Sequence, residues 1–499
     1  MAPFYFWFVA ASTWFQLPAP CGWQILDRCL ADVVLASANL LGSTRTMRSR
    51  TTSFAMKKKS IYAVFDIGQT NKKLILFDEN RQIIDEHQHV CTDAQDEDGY
   101  PCEDLPRLTQ WVRTHWQMLR QHPFYRVKGV NFTAYGAGLV YLDQSGQPFL
   151  PLYSYLRPFP AEYAAQFYAS LGQSREEFAQ VTRSPQLGML HAGMQLYWLK
   201  YARPEQYDRV HTALYLPHYL SYLITGQVFS DYSSVGCHTA LWDFTRNTYH
   251  DWVLREGFDE KLAPLINDSV ATVEDGILIG VGMEDSSAAV MSYMFENRKR
   301  PFVFVSTGTW SVTFNPFNKQ PLTPELLQRN CVNYLSPRGE PTVAARLFIG
   351  REHDYQVQRI AEYFHTKPDF YRSLLLARPT EQLVSEFEPT WMLDSGQTVE
   401  PACAAWPLVG FNTATDAYQH LMHHLVRRLK QSIDLVRQDE DTLFVDGGFA
   451  RNPVFMQMLQ RHYPAVEVRT PEVPQATALG ALIHLEQGEA QKKTEALFA

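Results

Sequence analysis

Apolar and polar positions change period several times along the chain. Residues 60–67, "SIYAVFDI", form an apolar run that ends beside an acid, the pattern of a buried strand. After Gly68-Gln69-Thr70-Asn71 the run resumes as "KKLILFD", so Tyr62 to Asp78 predicts a hairpin with a polar turn. Residues 127–158 predict a buried strand, a glycine-rich turn, a second strand and a tip at Ser145-Gly146. Helical spacing over 183–207 stops at Pro204, and 213–244 reads as a helix closed by Gly226, then a polar loop. A charged, proline-ended break, "ENRKRP" (296–301), precedes a second α/β stretch. It opens with "FVFVSTGTWSVTF" (302–314), again strand, Gly/Thr turn and strand. Residues 442–464 predict a strand, a Gly447-Gly448 turn and a helix with Pro453 at its first position. Ala476, Ala478, Gly480 and Ala481 lie early in a last helix, where small residues favour close packing. From Met56 onward the alternation of strands and helices is that of an α/β protein.

Composition narrows the class. The chain has 499 residues, 45% hydrophobic and 20% charged, which suits two to three globular domains of roughly 150 residues each. The net charge of −8 and the lack of a basic stripe argue against nucleic acid. Seven scattered cysteines without a CxxC pair read as reduced thiols of a cytoplasmic protein. The opening "MAPFYFWFVAASTWFQLPAP" is uncharged, but too short and proline-broken for a membrane span, and it lacks the basic start of a signal peptide. "MKKKSIYAVFD" from Met56 looks like a bacterial start. Residues 1–55 are therefore expected to be an over-long start assignment or a disordered leader.

The two Gly/Thr hairpins carry the candidate chemistry. A tight turn with exposed N–H groups, a hydroxyl and a lysine suits phosphate, and the strand-end acid Asp66 suits Mg²⁺, usually through water. An ordinary hairpin with a polar turn accounts equally for either stretch alone. Two of them, each opening one half of the chain, could clamp a polyphosphate from opposite sides. Glycines at 447 and 448 would let a flat ring or a phosphate approach the backbone.

With these pieces in order, the sequence resembles the FGGY sugar kinases, a branch of the actin/hexokinase-like ATPases, from about Tyr62 to about Leu485. "DIGQTNKK" is similar to the family's first phosphate motif and "STGTW" (306–310) to its second. "GVGMEDSSAAV" (280–290) resembles the Gly-x-x-Asp segment, and "DGGFARN" (446–452) the adenosine motif. "YLSYLITGQVFSDYSS" (219–234) resembles the segment between sugar and hinge. The resemblance implies an α/β fold of two RNase H-like domains flanking a catalytic cleft. The expected division is a sugar-binding domain over 56–300 and an ATP-binding domain over 301–499.

The resemblance also implies roles. Asp285 would be the general base that accepts the sugar hydroxyl's proton, and the same residue could instead simply cap the helix that follows. Asp66 would hold Mg²⁺. Gly68, Gln69, Thr70, Asn71 and Lys72 would line the first phosphate loop, Gly308 and Thr309 the second, and Gly447, Gly448 and Asn452 would accommodate adenosine. Lys72 and Lys73 alternate along the strand, so only one faces phosphate, and Lys72 is the expected one. Tyr135, Gly136, Glu284 and His238 are the sugar-pocket candidates, with a buried structural role equally open for His238. His353 and Asp354 resemble a metal pair, yet two ligands do not make a site. Where L-rhamnulose kinases carry Trp-Gly-Val-Asp, this chain has Tyr135-Gly136-Ala137-Gly138, so the acid is absent. The expected reaction is transfer of the γ-phosphate of ATP to a ketose, a 6-deoxyketose such as L-rhamnulose or L-fuculose. A xylulose-type kinase and a non-catalytic sugar- or nucleotide-binding protein are the alternatives. The partners implied are a sugar and ATP, with no nucleic acid or membrane and with a homodimer left open.

Overall fold

The computed structural model describes residues 58–69, 71–89, 94–186, 188–297, 300–308, 310–375, 407–470 and 475–498. The expected leader, 1–55, lies outside them, as do the candidate residues Thr70 and Thr309.

One sheet plan is used twice. In the N-terminal lobe β1 (Lys59–Ile67), β2 (Lys72–Phe77) and β3 (Ile83–His89) run antiparallel. The helix α1 (Leu105–Arg120) then leads to β4 (Tyr125–Ala134), which lies parallel to β1. Strands β5 (Val270–Glu274) and β6 (Ile277–Gly280) complete the order β5-β6-β4-β1-β2-β3, and the short β7 (Met283–Glu284) also pairs with β4. After α3 (Asp285–Glu296) the C-terminal lobe repeats the plan. Its strands are β8 (Val303–Thr307), β9 (Ser311–Asn315), β10 (Cys331–Leu335), β11 (Pro341–Leu347), β12 (Thr442–Gly447) and β13 (Glu467–Arg469), in the order β10-β11-β9-β8-β12-β13. In each lobe the first strand is antiparallel to the second and parallel to the strand on its other side. This is the duplicated α/β architecture of the actin/hexokinase-like ATPases.

The continuous apolar run of β1 follows from burial on both faces. Ile61, Ala63, Phe65 and Ile67 pack with Leu108, Val112 and Trp116 of α1, while Tyr62 and Val64 pack on the other side. Between β4 and β5 an insertion builds its own aromatic core around Tyr141, Phe167, Trp198 and Trp252. Within that region α2 (Leu216–Thr225) closes on Gly226 at φ 65°, as its sequence requires. Pro204 does not merely stop a helix: Ala192–Ala202 ends just before it, and Pro204 opens Pro204–Arg209, where its missing N–H is harmless. In the C-terminal lobe α4 (Ile349–Tyr363), α5 (Ala414–Asp434) and α6 (Pro453–His462) pack together with β8 and β12.

The last helix, α7 (Ala476–Phe498), lies C-terminal to the expected 300/301 division yet packs on the N-terminal sheet. Ala478, Ala481, Leu482 and Leu485 meet Tyr62, Val64, Ile75 and Phe77, and the Asn131 amide donates to the Ala481 carbonyl at 2.7 Å. The small residues serve a close helix crossing. A Cβ on Gly480 would lie 1.8 Å from the Ala288 carbonyl oxygen of α3. Because that contact is backbone, no rotamer change relieves it. Gly480→Val is expected to lower stability by about 1–3 kcal/mol, read as a fall in the denaturation midpoint. An unchanged midpoint would show that the two helices do not approach this closely.

Candidate active site

The first hairpin's turn decides which lysine faces the cleft. Gly68 N–H donates to the Asn71 carbonyl at 2.9 Å, closing a four-residue turn. That length pairs Ile67 with Lys72 and Asp66 with Lys73. Residues opposite one another in an antiparallel pair share a face, so Lys73 stands on the face of Asp66 and Lys72 on the other. Lys72 is 1% exposed, with its Nζ 2.7 Å from Glu103 Oε2. It also donates to the carbonyls of Gly68 (3.1 Å) and Gln69 (2.7 Å). The expectation that Lys72 faces phosphate is therefore corrected: its ammonium is fully engaged beneath the turn and holds it in shape. Lys73 donates to Gln475 Oε1 at 2.8 Å, and its charge acts on Asp66 and, across the lobes, on Asp446.

No hydrogen bond or ion pair reaches the Asp66 carboxyl among the described residues. Burial first, and then the negative charge of Asp285, outweigh Lys73 and push its pKa up to about 7.

The start of α3 supplies the second carboxyl. Glu284, not Asp285, caps the helix: its side chain accepts the Ser287 N–H at 2.7 Å. The capping alternative for Asp285 is thus ruled out, and Asp285 stands as the first helical residue with Ser286 Oγ at 3.2 Å. Gly282 makes the preceding turn possible, since its φ is 89° and a Cβ there would lie 2.6 Å from the Pro217 carbonyl oxygen. Burial raises the pKa of both carboxyls. The charge of Asp285, and a hydrogen bond between the two, raise Glu284 further, while that same bond holds Asp285 down. Glu284 is raised the more strongly of the two, so it gives up its proton at higher pH than Asp285.

Around this pair lie the sugar-side candidates. A Cβ on Gly136 would come within 2.6 Å of Cys237 Sγ and 3.6 Å of Glu284 Cγ, so only glycine fits. His238 is buried, with its ring 5.7 Å from that of Tyr334 and its Nε2 3.4 Å from Cys237 Sγ. Burial and then the Arg346 charge push its pKa well down, leaving a neutral imidazole. Ala137 (φ 62°) and His238 (φ 41°) hold left-handed backbone that is strained for residues with a side chain. The Tyr135 ring meets Tyr155 edge-on at 6.1 Å, and the Tyr155 hydroxyl is bonded to the Gln69 side chain. Gln69 thus joins the phosphate turn to the sugar side.

The second turn and the adenosine motif form one block. Gly308 N–H donates to the Trp310 carbonyl at 2.9 Å, and Gly448 N–H to the Thr307 carbonyl at 2.8 Å. Gly447 has φ 92°, and a Cβ there would lie 1.9 Å from the Thr307 carbonyl oxygen. Asn452 is placed differently from the expectation. Its Oδ1 accepts the N–H groups of Val454 (3.1 Å) and Phe455 (3.3 Å), and its Nδ2 donates to the Tyr418 hydroxyl at 2.6 Å. The amide is engaged at both ends in starting α6, and so shapes the adenosine end through the backbone. His353 is buried against Tyr418, with Nε2 3.2 Å from the hydroxyl, and Asp354 is exposed.

The sequence offered Lys73 only as the alternative to Lys72, and it gave Tyr155, Cys237, Arg346 and Asp446 no individual role. For Lys73 the signal was present in the turn length. Asp446 ends an apolar strand as Asp66 does. Nothing local marks the other three. A cavity of about 340 Å³ lies against α3, lined by Val290, Met291, Met294 and Tyr334 among others, but neither Asp66, Lys73 nor Asp285 lines it. Among the described residues no helix is long and apolar enough to cross a membrane.

Comparison with known proteins agrees with this geometry. Residues 61–266 match the model of the FGGY family of carbohydrate kinases, N-terminal domain, and residues 299–493 that of the carbohydrate kinase FGGY C-terminal domain. A rhamnulokinase of Oceanobacillus iheyensis is 19% identical over 451 residues, covering 84% of this chain and 91% of that protein. A probable L-xylulose kinase of Pasteurella multocida is 23% identical over 462 residues, covering 86% and 90%. The fold is shared with a carbohydrate kinase from Novosphingobium aromaticivorans (TM-score 0.65, 22% identity, 87% of this chain and 92% of that one). It is also shared with a xylulose kinase from Lactobacillus acidophilus (TM-score 0.67, 13% identity, 87% and 90%).

The raised pKa of Asp66 has a consequence for stability. In the unfolded chain the carboxyl titrates near its ordinary value of about 3.9. Between there and about 7 the folded state keeps a proton that the unfolded state has lost. Stability from this group is present below pH ~4 and is lost as pH rises toward 7. Asp66→Asn is therefore expected to be more stable than the parent at pH 8, by on the order of 1 kcal/mol, with the gap narrowing at pH 5. Denaturant titrations at both pH values check it, and a pH-independent gap would contradict the raised pKa.

Proposed function

The chain belongs to the FGGY family of carbohydrate kinases and is an ATP-dependent sugar kinase, and from that premise we propose that Asp285 activates a hydroxyl of a neutral ketose for attack on the γ-phosphate of ATP. The observation that carries this reading is the division of labour at the start of α3. Glu284 takes the helix cap and the more strongly raised pKa, which leaves Asp285, at the first turn beside Asp66, as the acid of the pair that ionises first.

The reaction needs the sugar oxygen in line with the γ-phosphorus, and a group to take its proton as the new P–O bond forms and the bond to the ADP oxygen breaks. Asp285 accepts that proton. Lys73, on the face of Asp66 and electrostatically coupled to Asp446, offsets phosphate charge between the lobes. The Gly68–Asn71 and Gly308–Trp310 turns offer backbone N–H groups from opposite sides, and Gly447 and Gly448 leave room for adenosine. Asp66 fits the role of Mg²⁺ ligand: it is a strand-end carboxyl with no hydrogen bond or ion pair among the described residues, and Mg²⁺ is commonly held by one or two carboxylates plus substrate phosphates. When bound, the ion would neutralise charge that develops on the transferring group.

Of Tyr135, Gly136, His238 and Glu284, which line the sugar side from the N-terminal lobe, none is a fixed charge: burial holds the His238 pKa well down and the Glu284 pKa well up. That favours a neutral sugar. The ketose choice draws on the names of the relatives, and L-rhamnulose or L-fuculose remains the preferred 6-deoxyketose, with xylulose as alternative. In this reading the N-terminal lobe, covered by the returning α7, holds the sugar, and the C-terminal lobe holds ATP.

Two tests follow from these roles. Asp285→Asn is expected to lower kcat ~10²–10⁴-fold without a change in thermal midpoint. The assay is ADP release from Mg²⁺ATP against L-rhamnulose, L-fuculose, D-xylulose, L-ribulose and glycerol, and a variant that keeps parental turnover would refute the base. The lysines should separate cleanly. Lys73→Met is expected to lose at least about tenfold in kcat/KM for ATP while remaining folded. Lys72→Met removes the cation that Glu103 faces and is expected to lose about 3–5 kcal/mol of stability. The reverse pattern would return the phosphate role to Lys72.

A further inference from the structure

Arg346 is a buried cation without a counter-charge. It lies on β11 opposite Val312, is 3% exposed, and forms no ion pair with any described carboxylate. Its Nε and Nη2 have no hydrogen-bond partner among the described residues, and Tyr334 is the neighbour that acts on it most. The guanidinium lies 5.4 Å from the centroid of the Trp310 ring, whose own Nε1 is likewise buried and unpartnered. Trp310 stands at the second Gly/Thr turn, yet its ring packs with Ala137 and Leu190, against which Tyr155 of the sugar side also packs.

The position of Arg346 separates sugar from phosphate. Its charge acts on His191, His238, Cys237 and Tyr334, whereas Lys73 acts on Asp66, and Arg451 and Lys73 act on Asp446. An unpartnered buried N–H costs the full desolvation of the group, more so when charged. Arginine and tryptophan side chains only donate. The partner that satisfies them best has oxygen lone pairs and no hydrogen of its own to place. A carbonyl oxygen is such a group, and a ketose has one where its alditol has a hydroxyl.

We propose that Arg346, together with the Trp310 indole N–H, binds the carbonyl oxygen of an open-chain ketose, so that a residue of the C-terminal lobe sets the sugar specificity of a site built mostly by the N-terminal lobe. This rests on the sugar-kinase reading above and adds the group of the sugar that is recognised. It also ties sugar recognition to lobe closure, because Arg346 and Gly136 stand on different lobes.

The test is steady-state kinetics of the full chain with the most active ketose of the four named above and with its alditol, at saturating Mg²⁺ATP. The parent is expected to prefer the ketose. Arg346→Gln is expected to raise the ketose KM about 10- to 100-fold, the range for a hydrogen bond to a charged group, and to shrink the ketose-over-alditol ratio by a similar factor. KM for ATP and the thermal midpoint should hardly move. Arg346→Lys, which keeps the charge and loses the planar fork, is expected to fall between, and is read by the same criteria if the glutamine variant does not fold. An unchanged ketose KM, an unmoved ketose-over-alditol ratio, or a rise in the ATP KM in its place would overturn the assignment. So would a parent that turns over none of the ketoses. Failure of the base assignment shows separately, as parental turnover in Asp285→Asn.

Discussion

The closeness of α3 and α7 is the constraint on which the site depends. Gly480 lets the two helices cross almost backbone to backbone at Ala288, which holds α3 against the N-terminal sheet. The opposite side of the same helix belongs to the other lobe. Ala289, Val290 and Tyr293 pack with Phe304, Phe314 and Phe444, and the Tyr293 ring lies 4.3 Å from that of Phe304. One helix is therefore shared by both cores, with Asp285 at its positive end. Any shift of this helix moves the base relative to both phosphate turns at once. Close packing makes such shifts costly, because interiors tolerate little change in volume.

Charge at the site is arranged by burial more than by pairing. Three carboxyls meet where the lobes face, and each is handled differently. Glu284 caps the helix and is pushed up the more strongly. Asp285 is raised by burial too, but it stands at a helix N-terminus, where the dipole favours the charged form. Asp66, beside another acid, is pushed up to about 7. The single buried ion pair beneath the first turn, Lys72 with Glu103, takes no part in this and serves as a brace. A buried pair of this kind adds little net stability against an apolar replacement, but removing one partner is expensive. It fixes the shape of the turn above it.

The two lobes contribute unequally to recognition. The N-terminal insertion brings Tyr135, Gly136, Tyr155 and His238 together through long connections, and strained backbone at Ala137 and His238 marks how tightly that loop is drawn in. The C-terminal lobe offers mainly backbone at Thr307, Gly308 and Gly447, and then Arg346 from an adjacent strand. A contact made by one charged residue across the cleft gives the substrate a direct hold on closure, which excludes water from the transferring phosphate.

The sequence alone determined the α/β alternation, both Gly/Thr hairpins, the Gly447-Gly448 turn before a proline-started helix, and the identity of Asp285 as a candidate acid. Each is written within some twenty residues, where strand period, turn glycines and helix caps act locally. It also carried the choice of lysine, hidden in the length of the Gly68–Asn71 turn. Only the tertiary structure decided that Glu284 rather than Asp285 caps α3, that Asn452 is engaged by Tyr418, that α7 returns to the first sheet, and that the Lys73 charge reaches Asp446 and the Arg346 charge reaches His238. These depend on which distant element covers a given face. A hydrogen bond or a desolvated charge is set by atoms hundreds of residues away along the chain, and no local pattern records them.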